Sequence, residues 1–365
     1  MKKIKSVYIS SIYQNAGKTT ISLGLYQIFR ERKLKPVFLK PVGQQTVDID
    51  GLDIDKDSYL LASVYRCKSV KEMSPVTIGR GYTEKYIISP NPQELHQKIL
   101  QAHEKLKLRR DSIIIEGTGH AGVGSVVDVS NADVARLLES KVIIVSEGGI
   151  GKCIDEVMLN KALFDIKGVE VLGVIVNKVL PEKYERIKGV LTLGFKQKGL
   201  KLLGCIPKDP LLSDPTVEQV QQKMKLQLLS GKRSNMHKRV CNTIVAAMEP
   251  SNMVEHITDG TLVLASGDRV DNIMIAVTSH LIVQSRRKKV IGIILTGGLT
   301  PDEKILRLLR RSGIPVMVTS EETYKVAGKI DNLVCKIQRS DIEKIQEARS
   351  LVKKYVDVEE ILKNL

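Results

Sequence analysis

What most constrains this chain is a series of short, nearly unbroken apolar runs, each followed by a stretch with helical spacing. Up to residue 210 they are "VYIS" (7–10), "PVFLKPVG" (36–43), "DSIIIEGTG" (111–119), "KVIIVSEGG" (141–149), "VLGVIVNKV" (171–179) and "LLGCIP" (202–207). A strand wetted on one face alternates apolar with polar residues, whereas one that is apolar throughout is buried on both faces. Such strands, separated by helices like that over 94–108, specify an α/β fold: a parallel sheet with helices on both faces. Ligands of these sheets bind beyond the carboxyl ends of the strands, so chemistry is expected there.

A second series follows the proline-rich "PKDPLLSDPT" (207–216), which reads as a linker. "VEQVQQKMKLQLLSGK" is expected to be helical up to Gly231, and "TLVLASGDR" (261–269), "VIGIILTGG" (290–298) and "IPVMVTS" (314–320) to be strands. "PDEKILRLLRRSG" carries helix punctuation: Thr300 as cap, Pro301 in the first turn, acids early, arginines late and Gly313 as the stop. The expected division is a domain at 1–210, a smaller α/β domain at 216–340 and a helical tail at 341–365.

Composition excludes several classes. No apolar run reaches the roughly 18 to 20 residues of a membrane helix. The start "MKKIKSVYIS" is basic then apolar, but its apolar part is too short for a signal peptide. A cytoplasmic protein with no membrane partner is expected. The five cysteines are odd in number and include no C-x-x-C spacing, so neither a disulfide framework nor a zinc site is indicated. The net charge of +16 would suit nucleic acid, but the charges are spread along the chain, aromatics make up only 4% and there is no Trp. The chain lacks the stacking platform of a single-strand binder. Its densest basic run, "QSRRKK" (284–289), reads as a solvated loop, so nucleic acid is not an expected partner.

The chemistry gathers around "SSIYQNAGKTT", Ser10 to Thr20. The stretch ends like the phosphate loop G-x-x-x-x-G-K-[ST], although Ile12 holds the place of the first glycine. A strand, a loop and then Gly17-Lys18-Thr19-Thr20 opening a helix place unpaired N–H groups toward an anion. Gly17 permits close approach, Lys18 can span β and γ phosphates, Thr19 can bind Mg²⁺ through its hydroxyl, and Thr20 can reach the α phosphate. Asn15 and Ala16 complete the expected phosphate contacts. Glu116 ends a buried strand, where an acid is costly unless paired or metal-bound. One or two of Asp48, Asp50, Asp53, Asp55 and Asp57 are expected to face the same metal. Lys40, at a strand end, suits an anionic substrate or the γ phosphate, and Asn177, at another, suits a base edge. His120 is within reach of a phosphate, and His96 and His103 are expected at the surface.

In order, "SSIYQNAGKTT", "FLKPVG", "DKDSYLL", "IIIEGTG", "GGIGKCIDEV" and "VIVNKV" resemble the landmarks of dethiobiotin synthetase, over roughly residues 1–210. The likeness is greatest to the synthetase-like N-terminal domain of long phosphotransacetylases. It implies a P-loop NTPase-like fold with ATP and Mg²⁺ as cofactors. Carried over by position, Thr19, Asp57 and Glu116 hold the metal, Asn177 reads adenine, and Lys18 and Lys40 are the catalytic lysines. In the second half, Gly267-Asp268-Arg269 and Thr296-Gly297-Gly298 resemble the split motif of the DRTGG domain, a regulatory or interaction module. Asp268 and Arg269 pair with each other or face a ligand, and the glycines after Thr296 form a tight turn or an anion-binding nest. The chain also departs from the synthetases. Ser11 replaces the opening glycine, the T-D-T stretch is absent, and Gly43-Gln44-Gln45 differs from the substrate serine region. Carboxylation of a diamine is therefore not implied.

These readings lead to an ATP-binding, Mg²⁺-dependent sensor or regulator acting through its DRTGG domain. The alternative is an ATP-dependent ligase of the dethiobiotin synthetase or cobyrinic acid diamide synthase type, acting on a carboxylate or amine held near Lys40. Acetyl transfer by this chain alone is not expected, because no acetyl-transferring domain follows. A separate acyltransferase is the partner class considered, and a homo-oligomer is expected. ATP and GTP are not distinguished.

Overall fold

The computed structural model describes residues 4–282, 289–333 and 335–365. Of the basic run 284–289, only Lys289 lies among the described residues. The first sheet consists of β1 (Lys5–Ser11), β2 (Pro36–Leu39), β3 (Ser112–Glu116), β4 (Lys141–Glu147), β5 (Val171–Val179) and β6 (Leu202–Pro207). They are all parallel, in the order β6-β5-β4-β1-β3-β2. The apolar runs are therefore strands for the reason their composition gave. On β3, Ile113, Ile114 and Ile115 are all 0% exposed, and each burial contributes about 1.5–3 kcal/mol. "PVFLKPVG" does break: after β2 the chain turns at Lys40-Pro41 into the separate short strand Val42–Gly43.

Helices α1 (Lys18–Glu31), α2 (Lys56–Tyr65), α3 (Pro92–Lys107), α4 (Asn131–Leu137), α5 (Gly151–Ile166) and α6 (Tyr184–Gln197) alternate with these strands and cover the sheet. Their starts are specified locally. Asp55 caps α2 by accepting from the Asp57 N–H, Asn91 caps α3 ahead of Pro92, and Ser130 with Asp133 forms a capping box on α4. His103 is buried rather than at the surface, because it shares the inner stripe of α3 with Ile99 and Leu106. Burial lowers its pKa to about 4.

The described residues form two units: Met1–Leu212 with Ile337–Leu365, and Ser213–Lys336. The closing helices are thus not a separate tail. Helix Ile342–Tyr355 lies so close to α1 that a Cβ on Gly24 would sit 2.3 Å from the Cβ of Val352. The Arg349 guanidinium stacks 5.0 Å above the Tyr65 ring, and Val356 bridges Gly204 on β6.

The second unit holds a mixed sheet of β7 (Gln227–Ser230), β8 (Asn242–Val245), β9 (Asp259–Ser266), β10 (Lys289–Thr296) and β11 (Val316–Val318). Its order is β7-β11-β10-β9-β8, with β7 antiparallel to β11 and the other pairs parallel. The helix expected to reach Gly231 ends at Met224, because Lys225 adopts a left-handed conformation (φ 54°) and "QLLS" pairs as β7. Asp302, not Thr300, caps the helix Glu303–Ser312, accepting from the N–H groups of Lys304 and Ile305.

Candidate nucleotide site

The loop between β1 and α1 is shaped by residues on both sides of it. Gly17 has φ 108°, and a Cβ there would lie 2.1 Å from Asn177 Nδ2, so only glycine fits. Asn177, at the end of β5, donates to the Ala16 carbonyl at 3.0 Å. Lys178 donates to the Asn15 carbonyl at 2.8 Å and also pairs with Glu147. Tyr13 donates its hydroxyl to the same glutamate. Ile12 explains the missing first glycine: its side chain is 7% exposed and belongs to the core, and its N–H donates to the Val145 carbonyl. In this chain the position is held by packing.

Beside the loop lies a buried cluster of charge. Lys40 (4% exposed) donates to Asp57 at 3.0 Å, to Glu116 at 3.0 Å and to the Gly117 carbonyl at 3.2 Å. An ammonium has three N–H donors, so this set engages all of them. Glu116 also accepts from the Thr19 hydroxyl at 3.0 Å and the Ser22 hydroxyl at 2.6 Å. Burial pulls the Lys40 pKa down, but Glu116, Asp57 and Asp55 outweigh it and hold the ammonium above its ordinary value. Of the acidic run, Asp55 and Asp57 are buried, while Asp48, Asp50 and Asp53 are exposed on a hairpin formed by Thr46–Ile49 and Leu52–Asp55. Among the described residues, no group of three or more His, Cys, Asp or Glu side chains is arranged to hold a metal.

Lys18, Thr19, Lys40, Asp57, Glu116 and Asn177 thus meet at the carboxyl ends of β1, β2, β3 and β5. Several residues that support them carry no motif. Ser22 shares Glu116. Asn131, at the start of α4, accepts from the Thr118 N–H and the Tyr8 hydroxyl and donates to the Thr118 and His120 carbonyls. It thereby pins the loop after Glu116. Its placement just after the Ser130 cap was the only sequence signal available. His120 caps its own turn, its Nδ1 accepting from the Gly122 N–H at 3.2 Å. A pocket of about 290 Å³ opens between the ends of β4 and β5, walled by Gly148–Ile150, Lys178, Lys183 and Arg186.

The motif of the second unit is spent on structure. Gly297 and Gly298 are left-handed, and their N–H groups donate to the carbonyls of Glu321 and Thr319, both at 2.9 Å. They make a tight turn rather than an anion nest. Arg269 pairs with Asp271 on the surface rather than with Asp268. Gly267 is needed for close approach, since a Cβ there would lie 1.9 Å from the Leu299 carbonyl oxygen.

Comparison with known proteins agrees with this division. A family model described as an AAA domain, AAA_26, matches residues 5–216, and the DRTGG domain model matches residues 219–333. The phosphate acetyltransferase of Nitratidesulfovibrio vulgaris is 27% identical over 98% of this chain and 51% of its own length. That of Pseudomonas putida is 28% identical over 97% of this chain and 51% of its own. The chain therefore spans about half the length of the curated relatives it matches. Among solved structures, the MinC:MinD cell division complex of Aquifex aeolicus is similar at 16% identity and TM-score 0.36, covering 57% of this chain and 83% of that one. A putative plasmid partition protein of Borrelia burgdorferi bound to AMPPNP is similar at 14% identity and TM-score 0.38, covering 57% and 88%. The chain belongs to the AAA_26 family, the P-loop domain type of dethiobiotin synthetases, and joins that domain to a DRTGG domain as the N-terminal region of long phosphate acetyltransferases does.

Proposed function

We propose that the first unit binds ATP with Mg²⁺ and that the second unit makes this binding regulatory. The observation that carries the reading is the convergence of the Gly17–Thr20 loop with a buried Lys40–Asp57–Glu116 cluster. Buried charge of this kind is costly and has a use where phosphate charge arrives. The helix start supplies N–H groups, Lys18 supplies the positive charge for the β and γ phosphates, and Asn177 supplies an amide beside the loop for the base. Thr19, Asp57 and Glu116 offer hard oxygen donors, which suit Mg²⁺. A nucleotide-borne Mg²⁺ needs only one or two protein carboxylates beside the phosphates. Bound there, the ion would neutralise phosphate charge, while Lys40 holds the two acids in place.

That all three Lys40 donors point at protein groups favours binding and sensing over a ligase in which Lys40 holds an anionic substrate. An acyl-transferring enzyme is the partner class put forward, because the relatives are phosphate acetyltransferases about twice as long. Calorimetric titration with ATP, ADP and GTP, each with and without Mg²⁺, tests the reading. Saturable ATP binding that tightens with Mg²⁺ is expected. No saturable binding of any nucleotide would overturn it, and binding indifferent to Mg²⁺ would remove the metal.

A further inference from the structure

Ser11 stands where the synthetase loop opens with glycine, and its side chain has no role in the phosphate-loop motif. It is the last residue of β1 and is 0% exposed. Its Oγ lies 2.7 Å from Lys18 Nζ, 2.6 Å from the Tyr13 carbonyl oxygen and 2.9 Å from the Gly119 carbonyl oxygen. The ammonium can only donate, so the hydroxyl accepts from Lys18 and offers its single proton to one of the two carbonyls. One hydroxyl therefore joins three segments: the front of the phosphate loop, the lysine at its back, and the glycine loop that follows Glu116. A glycine at this position would make none of these bonds.

We propose that Ser11 is a positioning residue for Lys18, anchoring the ammonium against the loop that follows Glu116 so that it meets the terminal phosphate from a fixed place. The inference rests on the nucleotide reading above. A lysine reaching across β and γ phosphates is extended along a side chain with many rotamers, and holding it in advance removes an entropic cost of binding. Charge-assisted hydrogen bonds are the stronger class, so loss of this one is felt at the lysine first. The diphosphate, which lacks the γ group, depends less on where the ammonium sits.

The test is the affinity of the full chain for ATP and for ADP, measured with Mg²⁺, for the unaltered protein and for Ser11→Ala, with Ser11→Thr as the hydroxyl-retaining variant. Ser11→Ala is expected to weaken ATP about tenfold and ADP by no more than about threefold, with Ser11→Thr closer to the unaltered protein in its ATP to ADP ratio. Equal losses for both nucleotides would make Ser11 a packing residue only and overturn the proposal, as would no loss at all. If the unaltered protein binds no nucleotide, the site reading itself fails, a result distinct from either of these.

Discussion

The two units solve the same architectural problem and use its carboxyl-end rim differently. In the first, the strand ends and adjoining turns present Lys40, Asp57 and Glu116, all at most 5% exposed, against the loop that carries Lys18. In the second, no charged side chain is buried among the described residues. Its strand ends present glycines whose N–H groups bond to backbone carbonyls, and an Arg269–Asp271 pair open to solvent. Glycine at a strand end is therefore an ambiguous sign, because tight turns and phosphate loops both need it. Buried charge that the fold has no other reason to keep is the sharper sign of a site.

That contrast can be broken by mutation, and the largest effect is expected at Lys40. Lys40→Ala leaves buried acids without their cation, and a loss of about 3–5 kcal/mol in urea unfolding is expected. A loss below about 1 kcal/mol would mean that the cluster is not tightly held. The pH dependence has a definite sign. The folded pKa of Lys40 is raised above its ordinary value, so its contribution is complete below the unfolded value of about 10.4 and fades as pH rises through the higher folded one. The gap between unaltered and Lys40→Ala protein should be constant from about pH 6 to 9 and shrink only above about pH 10.4.

Next is Gly267→Ala, where a Cβ would meet the Leu299 carbonyl oxygen. Overpacking of about 1–3 kcal/mol is expected in denaturation followed by circular dichroism, with ATP binding unchanged. Gly297→Ala is smaller. Nothing lies within 4 Å of the added carbon, so only the left-handed backbone at φ 76° is strained, at about 1–2 kcal/mol. Arg269→Ala removes an exposed pair and should leave the unfolding midpoint where it was. A large loss there would show that the DRTGG motif carries more than a turn.

The sequence revealed the central strands because burial on both faces leaves no alternation to mistake. It pointed to Lys40, Glu116 and Asn177 because each stands at the end of such a run, and to Lys18 because Gly17–Thr20 opens a helix just after one. It did not reveal β7 and β8, which are four residues each and lie at sheet edges. Nor could it show that Lys225 would turn left-handed and stop a helix with good spacing. The support given by Ser11, Ser22 and Asn131 was invisible for another reason. Their partners lie as far as 123 residues away and include backbone carbonyls, which no local pattern records. The docking of Ile342–Tyr355 on α1 depends on Gly24, a helix-interior glycine whose use appears only when Val352 arrives.

The central claim is that the rim of the first unit, and not that of the second, receives a nucleotide. Its most direct test is the melting temperature of the full chain with Mg²⁺ and ATP at about one hundred times its Kd, in the unaltered protein, in Lys18→Ala and in Gly297→Ala. A rise of about 3–5 °C is predicted for the unaltered protein and for Gly297→Ala, with most of it lost in Lys18→Ala. No rise in the unaltered protein, or the same rise in Lys18→Ala, would contradict the claim.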